Sequence, residues 1–159
     1  MKFQVLNSEH GNVAKMSFVK PLKHQKPIVQ ISHEWTWRDR MGAILARTSA
    51  YRNDYRVEPG LYKIGNPDKD SDVLVSANYK LSFDHLRRYL ENRNLWILVL
   101  DTKGVNVWCA AGKGTFGTQE LIKKIHENNL LSFIDHKRII VPQLGGPGIN
   151  AHEVKKQTG

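Results

Sequence analysis

From His33 onward the chain carries Trp37, Met41, Ile44 and Leu45 at i, i+4, i+7 and i+8, the spacing of one face of a helix. Arg38, Asp39, Arg40 and Arg47 fall largely off that face. A polar, aromatic stretch from Tyr51 follows and closes on Glu58-Pro59-Gly60, a turn signal. Beyond it, strands and helices alternate. Asp72-Val73-Leu74-Val75-Ser76 is a short β-rich run, and Ser82 to Leu90 places Phe83, Leu86 and Leu90 at helical spacing with Ser82 as N-cap. Leu95 to Leu100 is continuously apolar, as a strand buried on both faces of a parallel sheet requires. Thr118 to Leu131 is helical, with Leu121, Ile125 and Leu130 on one side. Ile139-Ile140-Val141 forms a third strand, and Asn150 to Lys156 a last short helix. Residues 1–32, with Pro21, Pro27 and only short apolar pairs, read as an N-terminal arm ahead of a domain over 33–159.

This alternation implies right-handed βαβ crossovers and an α/β, Rossmann-like parallel sheet with flanking helices. Ligands of such sheets sit at the carboxyl ends of the strands. That rule selects three loops: Ala77-Asn78-Tyr79-Lys80, Gly104 to Gly117, and Gln143 to Gly148.

Composition narrows the classes. The chain has 159 residues, 40% hydrophobic and 25% charged, which suits one globular domain. Its longest apolar run is the Leu95–Leu100 stretch, whereas a membrane span needs about 20 residues. No secretory signal is evident, so a soluble, cytoplasmic domain is expected. Lys and Arg exceed Asp and Glu by 24 to 15, a net charge of +9. The excess is spread along the chain, with no basic run longer than two and no aromatic-basic ribonucleoprotein motif, so no nucleic-acid partner is expected. A solvated basic surface accounts for it, or else an anionic cofactor tail, anionic lipid head groups or an acidic protein.

Several chemistries fail on spacing. Gly112-Lys113-Gly114-Thr115 lacks the glycine at 107 and the Ser or Thr at 114 that a phosphate loop needs. The glycines at 112, 114 and 117 do not directly follow a strand, as a dinucleotide fingerprint would. His33-Glu34, His126-Glu127 and His152-Glu153 are not completed into zinc-protease motifs. The single cysteine, Cys109, excludes an internal disulfide and a four-cysteine metal cluster. Its surroundings are unusual: Asn106-Val107-Trp108-Cys109-Ala110-Ala111-Gly112-Lys113 leaves the backbone beside the thiol bare of bulky side chains. Two readings stand. The segment is a small-residue helix packed on the sheet, or a bare surface for a large flat ligand whose thiol serves a soft metal.

The run Asn106 to Thr118 resembles the cap-helix motif of the mercury-methylating corrinoid proteins. That family is related to the large subunit of the corrinoid iron–sulfur protein of the acetyl-CoA pathway. Trp37-Arg38-Asp39-Arg40-Met41-Gly42, Pro59-Gly60-Leu61-Tyr62, Val73 to Asp84 and Gly145-Gly146-Pro147-Gly148 are similar to the wider corrinoid family and fall in its order. The resemblance spans roughly residues 33–159.

It implies a domain binding a cobalamin-type corrinoid base-off, with Cys109 as the lower axial cobalt ligand and catalytic tuner. The cofactor-binding set it implies is Asn78, Tyr79, Asn106, Val107, Trp108, Cys109, Ala110, Ala111, Gly112, Lys113, Gly114, Thr115, Gly145, Gly146, Pro147 and Gly148. The implied activity is transfer of a methyl group from cobalt to Hg(II), with a methyl donor linked to methyl-tetrahydrofolate and a ferredoxin-like iron–sulfur reductant. The alternative is a methyl carrier of the acetyl-CoA pathway type, and a non-catalytic corrinoid carrier or a cofactor-free basic module are further rivals. The mercury-methylating family continues into a C-terminal membrane domain and works on the cytoplasmic side of the inner membrane. This chain ends at Gly159 without such a domain, and is expected to be a fragment or a stand-alone relative.

Overall fold

The computed structural model describes residues 28–49, 51 and 54–159. Five strands form one sheet: β1 (Val29–Ile31), β2 (Gly60–Ile64), β3 (Val73–Ala77), β4 (Leu95–Leu100) and β5 (Ile139–Ile140). They lie in the order β1-β2-β4-β3-β5. The helices are α1 (Trp37–Thr48), α2 (Lys80–Arg88), α3 (Val107–Gly112), α4 (Thr118–Glu127) and α5 (Ala151–Thr158). A single 3₁₀ turn occupies Leu130–Ser132, and a longer 3₁₀ segment Gln143–Gly148.

The six residues of β4 are all buried, as their unbroken apolar run requires of a central strand. Alternation along the strands sorts the core into two layers. Leu61, Val73, Val75, Trp96, Leu98 and Leu100 face α3, α4 and α5, meeting Phe116, Leu121, Ile125 and Val154. Tyr62, Ile64, Leu95, Ile97 and Val99 face the other way, toward Phe83, Leu86 and Leu90 of the α2 segment. A sheet covered on both faces is what the Rossmann-like reading anticipates.

The sheet departs from the all-parallel expectation on one side. β3 pairs in parallel with β4 and with β5, but β2 is antiparallel to β4, with Tyr62 opposite Ile97. β2 escapes a pattern reading because it is short, carries Lys63 and sits between turn signals at Pro59-Gly60 and Gly65. Val29–Ile31, assigned to the arm, instead forms the edge strand β1, parallel to β2. The rest of the arm, residues 1–27, lies outside the described residues.

Three helices also differ from expectation, the first being α4, which stops at Glu127 rather than Leu131 because Asn129 turns left-handed at φ +48°. α2 begins at Lys80 with Tyr79 at the N-cap, not at Ser82, because backbone bonds from Phe83 N to Tyr79 O and Lys80 N to Tyr55 O already organise that turn. α1 forms where its spacing predicts, capped by a reciprocal Thr36–Asp39 box. It is rotated, however: Asp39, Gly42, Ala43 and Ala46 face inward while Trp37, Met41, Ile44 and Leu45 are exposed.

Candidate functional site at the carboxyl end of the sheet

The chain leaves β3 toward α2 on one face of the sheet and leaves β4 toward α3 and α4 on the other. The carboxyl ends of β3 and β4 are therefore a switch point, the ligand-binding position of open α/β sheets. Asn78 spans this point. It is buried, and its Oδ1 accepts from Thr102 N at 3.1 Å and Gly104 N at 2.9 Å, while Nδ2 donates to Asp101 Oδ1 at 3.3 Å. Its backbone oxygen accepts from Val57 N at 2.8 Å. The Asn78 carboxamide is thus spent on clamping two loops together. Gly104, at φ +75°, can approach because it lacks a Cβ; one built there would lie 2.6 Å from Arg56 Nε.

The turn held by Asn78 feeds α3. Asn106 caps this helix, its Oδ1 accepting from Cys109 N at 3.0 Å. One side of α3 is fastened inward. Ala110 is fully buried, and its carbonyl accepts from Thr115 N at 2.9 Å and Phe116 N at 3.1 Å, which folds the Gly112–Thr115 segment back on the helix. Phe116, also fully buried, pins the Gln143–Gly148 turn: a Cβ on Gly145 would lie 2.4 Å from its ring, and one on Gly148 would lie 2.2 Å from its carbonyl oxygen. These two glycines exist for close backbone approach, and they bring the turn against Ala111.

The other side of α3 faces out. Cys109 is exposed, Trp108 is 67% exposed, and Gly112, Lys113 and Gly114 are open. Gly146 and Pro147 are exposed on the neighbouring turn. A Cβ built on Gly112, Gly114 or Gly146 meets nothing within 4 Å. Beside this bare strip, a depression of about 410 Å³ is lined by Ser82, Asn106, Val107, Trp108, Pro142, Gln143 and Leu144, the last 61% exposed.

The first reading of the Cys109 segment, a small-residue helix packed on the sheet, holds for the inner face of α3. Ala110 packs on the core, with Val107 and Ala111 partly buried against it, whereas Trp108, Cys109 and Gly112 are exposed on the outer side, with one thiol among them. Of the expected set, Asn106 to Thr115 and Gly145 to Gly148 come together. Ala110, Gly145 and Asn78 are buried supports, and Tyr79 is half-buried at the start of α2, joined through its backbone to Arg56. The bare strip fits a large planar ligand lying against α3 with a soft metal at the thiol. Among the described residues no three His, Cys, Asp or Glu side chains gather as a metal centre.

Sequence spacing missed a buried ionic cluster behind the Asn78 loop. Asp39 receives Arg87 Nη2 at 2.7 Å and Lys80 Nζ at 2.7 Å; Asp84 receives Arg87 Nε at 2.8 Å and also binds Lys80. Arg87 Nη1 donates to the carbonyl oxygens of Ser32 and Glu34, and Lys80 lies over the Tyr55 ring. Burial pushes the Asp39 carboxyl up, but hydrogen bonds from Lys80 and Thr36 and the Lys80 charge outweigh it and hold Asp39 well below the usual carboxylate range. Lys80 is pulled down by burial yet held above its ordinary value by Asp39 and Asp84. The signal was present: Lys80, Asp84 and Arg87 sit at i, i+4 and i+7. Such spacing, though, is shared by exposed pairs worth little.

A doubly covered α/β sheet with a bare helix, α3, at its carboxyl-end loops defines a Rossmann-like domain. Residues 31–156 match the family described as CO dehydrogenase/acetyl-CoA synthase delta subunit, and the chain belongs to that family. It is 34% identical over 93 residues to the acetyl-CoA decarbonylase/synthase complex subunit gamma of Methanopyrus kandleri, covering 57% of this chain and 20% of that protein. The corresponding subunit of Methanocaldococcus jannaschii is 37% identical over 95 residues, covering 58% of this chain and 20% of the relative. That of Archaeoglobus fulgidus is 28% identical over 109 residues, 65% of this chain and 23% of the relative. The chain thus spans about a fifth of the length of these relatives. They agree with the acetyl-CoA-pathway kinship read from the sequence, and none of the three is named for mercury. No helix among the described residues is long and apolar enough to cross a membrane.

Proposed function

We propose that this domain binds a cobalamin-type corrinoid base-off against the outer face of α3, with the Cys109 sulfur as the lower cobalt ligand, and serves as a methyl carrier. The observation that carries the reading is the exposed thiol set in a surface where Gly112, Gly114 and Gly146 leave room for a flat macrocycle. When bound, the corrinoid supplies a cobalt centre able to accept and release a methyl group. The chain's own contribution is placement. Asn106 holds the first turn of α3, Phe116 and the Gly145–Gly148 turn brace it from behind, and Asn78 sets the loop that leads into it. Trp108 and Leu144 give the cofactor an apolar margin, and Lys113, at the C-cap of α3, offers a donor to its amide side chains.

The named relatives favour a carrier of the acetyl-CoA-pathway type; to it we assign a tetrahydrofolate-linked or similar methyl donor and a ferredoxin-like reductant. A second reading, methyl transfer to Hg(II), draws on the exposed Cys109, whose thiolate would hold the cobalt with more donated charge than a neutral ligand. Reconstitution of the chain with methylcobalamin under anaerobic conditions tests the shared core. Cobalt–sulfur scattering in X-ray absorption is expected for the parent and absent in Cys109→Ala; unchanged scattering in that variant overturns the ligand assignment. Methyl transfer to Hg(II) by the parent but not by Cys109→Thr at equal cofactor occupancy selects the second reading, and equal rates reject it.

A further inference from the structure

Helix α1 is turned against its own hydrophobic pattern. Trp37 is 73% exposed, Ile44 52%, Leu45 44% and Met41 37%, forming an apolar ridge on the outside of the domain. Its inward side consists of Asp39, Gly42, Ala43 and Ala46. This orientation is enforced from below. Asp39 is tied to Lys80 and Arg87, and Gly42 sits so close to Tyr55 that a Cβ there would lie 2.5 Å from the phenol oxygen. Rolling the ridge inward would break two buried ion pairs and drive Met41 or Ala43 toward the Tyr55 ring.

Charge accompanies the ridge. The solvent-facing charges of α1 are Arg38, Arg40 and Arg47; its single acid, Asp39, is buried and neutralised. Nearby, Arg88 lies over the Trp35 ring and Arg47 donates to His85, and a depression beside Arg40 and Arg88 also carries Glu34 and Glu91. The chain as a whole carries +9. An apolar ridge with tryptophan at one end, edged by arginine, has the make-up of a helix that lies in the head-group region of an anionic bilayer. Its arginine edge opposes a second copy of the same ridge, and the helix is held rigid before it binds.

We propose that α1 docks the domain on an anionic lipid surface, with Trp37, Met41, Ile44 and Leu45 entering the head-group layer and Arg38, Arg40 and Arg47 pairing with lipid phosphates. This goes beyond the carrier function and does not depend on it.

Flotation of the whole chain with vesicles tests the proposal. The parent is expected to float with vesicles of phosphatidylcholine and phosphatidylglycerol in equal parts, less so as salt is raised, and not with phosphatidylcholine alone. The double substitution Ile44→Glu with Leu45→Glu is expected to weaken binding about tenfold or more while leaving the thermal midpoint in place, since both side chains are exposed. Arg38→Glu with Arg40→Glu, a charge reversal on the same helix, is expected to do the same. No flotation with the anionic vesicles overturns the proposal. So does flotation unchanged in both double variants, which would place the lipid contact elsewhere. A dimer dissolved by the Ile44 and Leu45 changes would assign the ridge to a second copy, and preference for an acidic amphipathic peptide over the vesicles would assign it to a protein; either result also overturns it.

Discussion

Replacing Asn78 by Ala isolates what holds the cap helix in place. The side chain is buried and its Oδ1 accepts from two backbone donors, Thr102 N and Gly104 N, both in the turn that carries the chain from β4 to α3. Thr102 is fully buried, and its hydroxyl proton has a closer acceptor in Val105 O at 2.6 Å, so the loss falls on the two N–H groups. Each orphaned donor costs about 1–3 kcal/mol, so Asn78→Ala is expected to destabilise the domain by about 2–6 kcal/mol. That is a large share of the roughly 5–15 kcal/mol available to a domain. Urea unfolding followed by circular dichroism measures it. Asn78→Asp supplies the control, because it keeps an acceptor for both N–H groups but sets a carboxylate against Asp101, 3.3 Å from Nδ2. Its penalty is expected to grow as pH rises above about 4 and to shrink below it, as the added acid takes up a proton. A cost under about 0.5 kcal/mol for Asn78→Ala, the range of ordinary surface changes, would show that the clamp is not what organises the turn.

Two further outcomes follow from the same geometry. Asp39 titrates below its unfolded value, so its contribution is complete above about pH 4 and is lost as pH falls toward the folded pKa; Lys80 titrates above its unfolded value, so its contribution is complete below about pH 10 and is lost above it. The urea midpoint of the parent should therefore be flat between these limits, and Asp39→Asn, which leaves Lys80 and Arg87 short of a counter-charge at a cost of about 3–5 kcal/mol, should flatten the acid limb; an unchanged limb would show that other carboxylates govern it. Gly112→Val and Gly146→Val extend into open space, so they should leave stability within about 1 kcal/mol while weakening methylcobalamin binding, whereas Ala110→Leu overpacks the core and should cost about 1–3 kcal/mol. Equal cofactor binding by parent and both valine variants would place the corrinoid elsewhere.

The sequence made β3, β4, α4 and the positions of the three carboxyl-end loops legible because each is a local pattern: alternation, an unbroken apolar run, or 3.6-residue spacing. It did not reveal β1 and β2, whose place depends on partners far along the chain. Val29 pairs with Tyr62, and Tyr62 with Ile97, registers that no local window contains. The same distance problem hid Asp39. In a window it reads as a charge off the apolar face of a helix; only with Lys80 and Arg87 beside it does it become the residue that decides which face turns inward.

That decision links the parts of the molecule. A helix whose apolar stripe were its strongest inward contact would bury Trp37 and Ile44 and leave Asp39 in water. Here the balance runs the other way, because Asp39 satisfies Lys80, Arg87 and the Thr36 cap at once, and the alternative would leave two cations, one of them fully buried, to share Asp84 alone of this pair of carboxylates. Lys80 starts α2 immediately after Asn78 and Tyr79, so the cluster that turns α1 outward also anchors the loop from which Asn78 reaches Gly104. From Gly104 the chain runs directly into Asn106 and the turn bearing Cys109. The motif that marks the site therefore supplies its surface, while the residues that aim that surface lie in segments of the sequence whose charges look solvated until the fold brings them together.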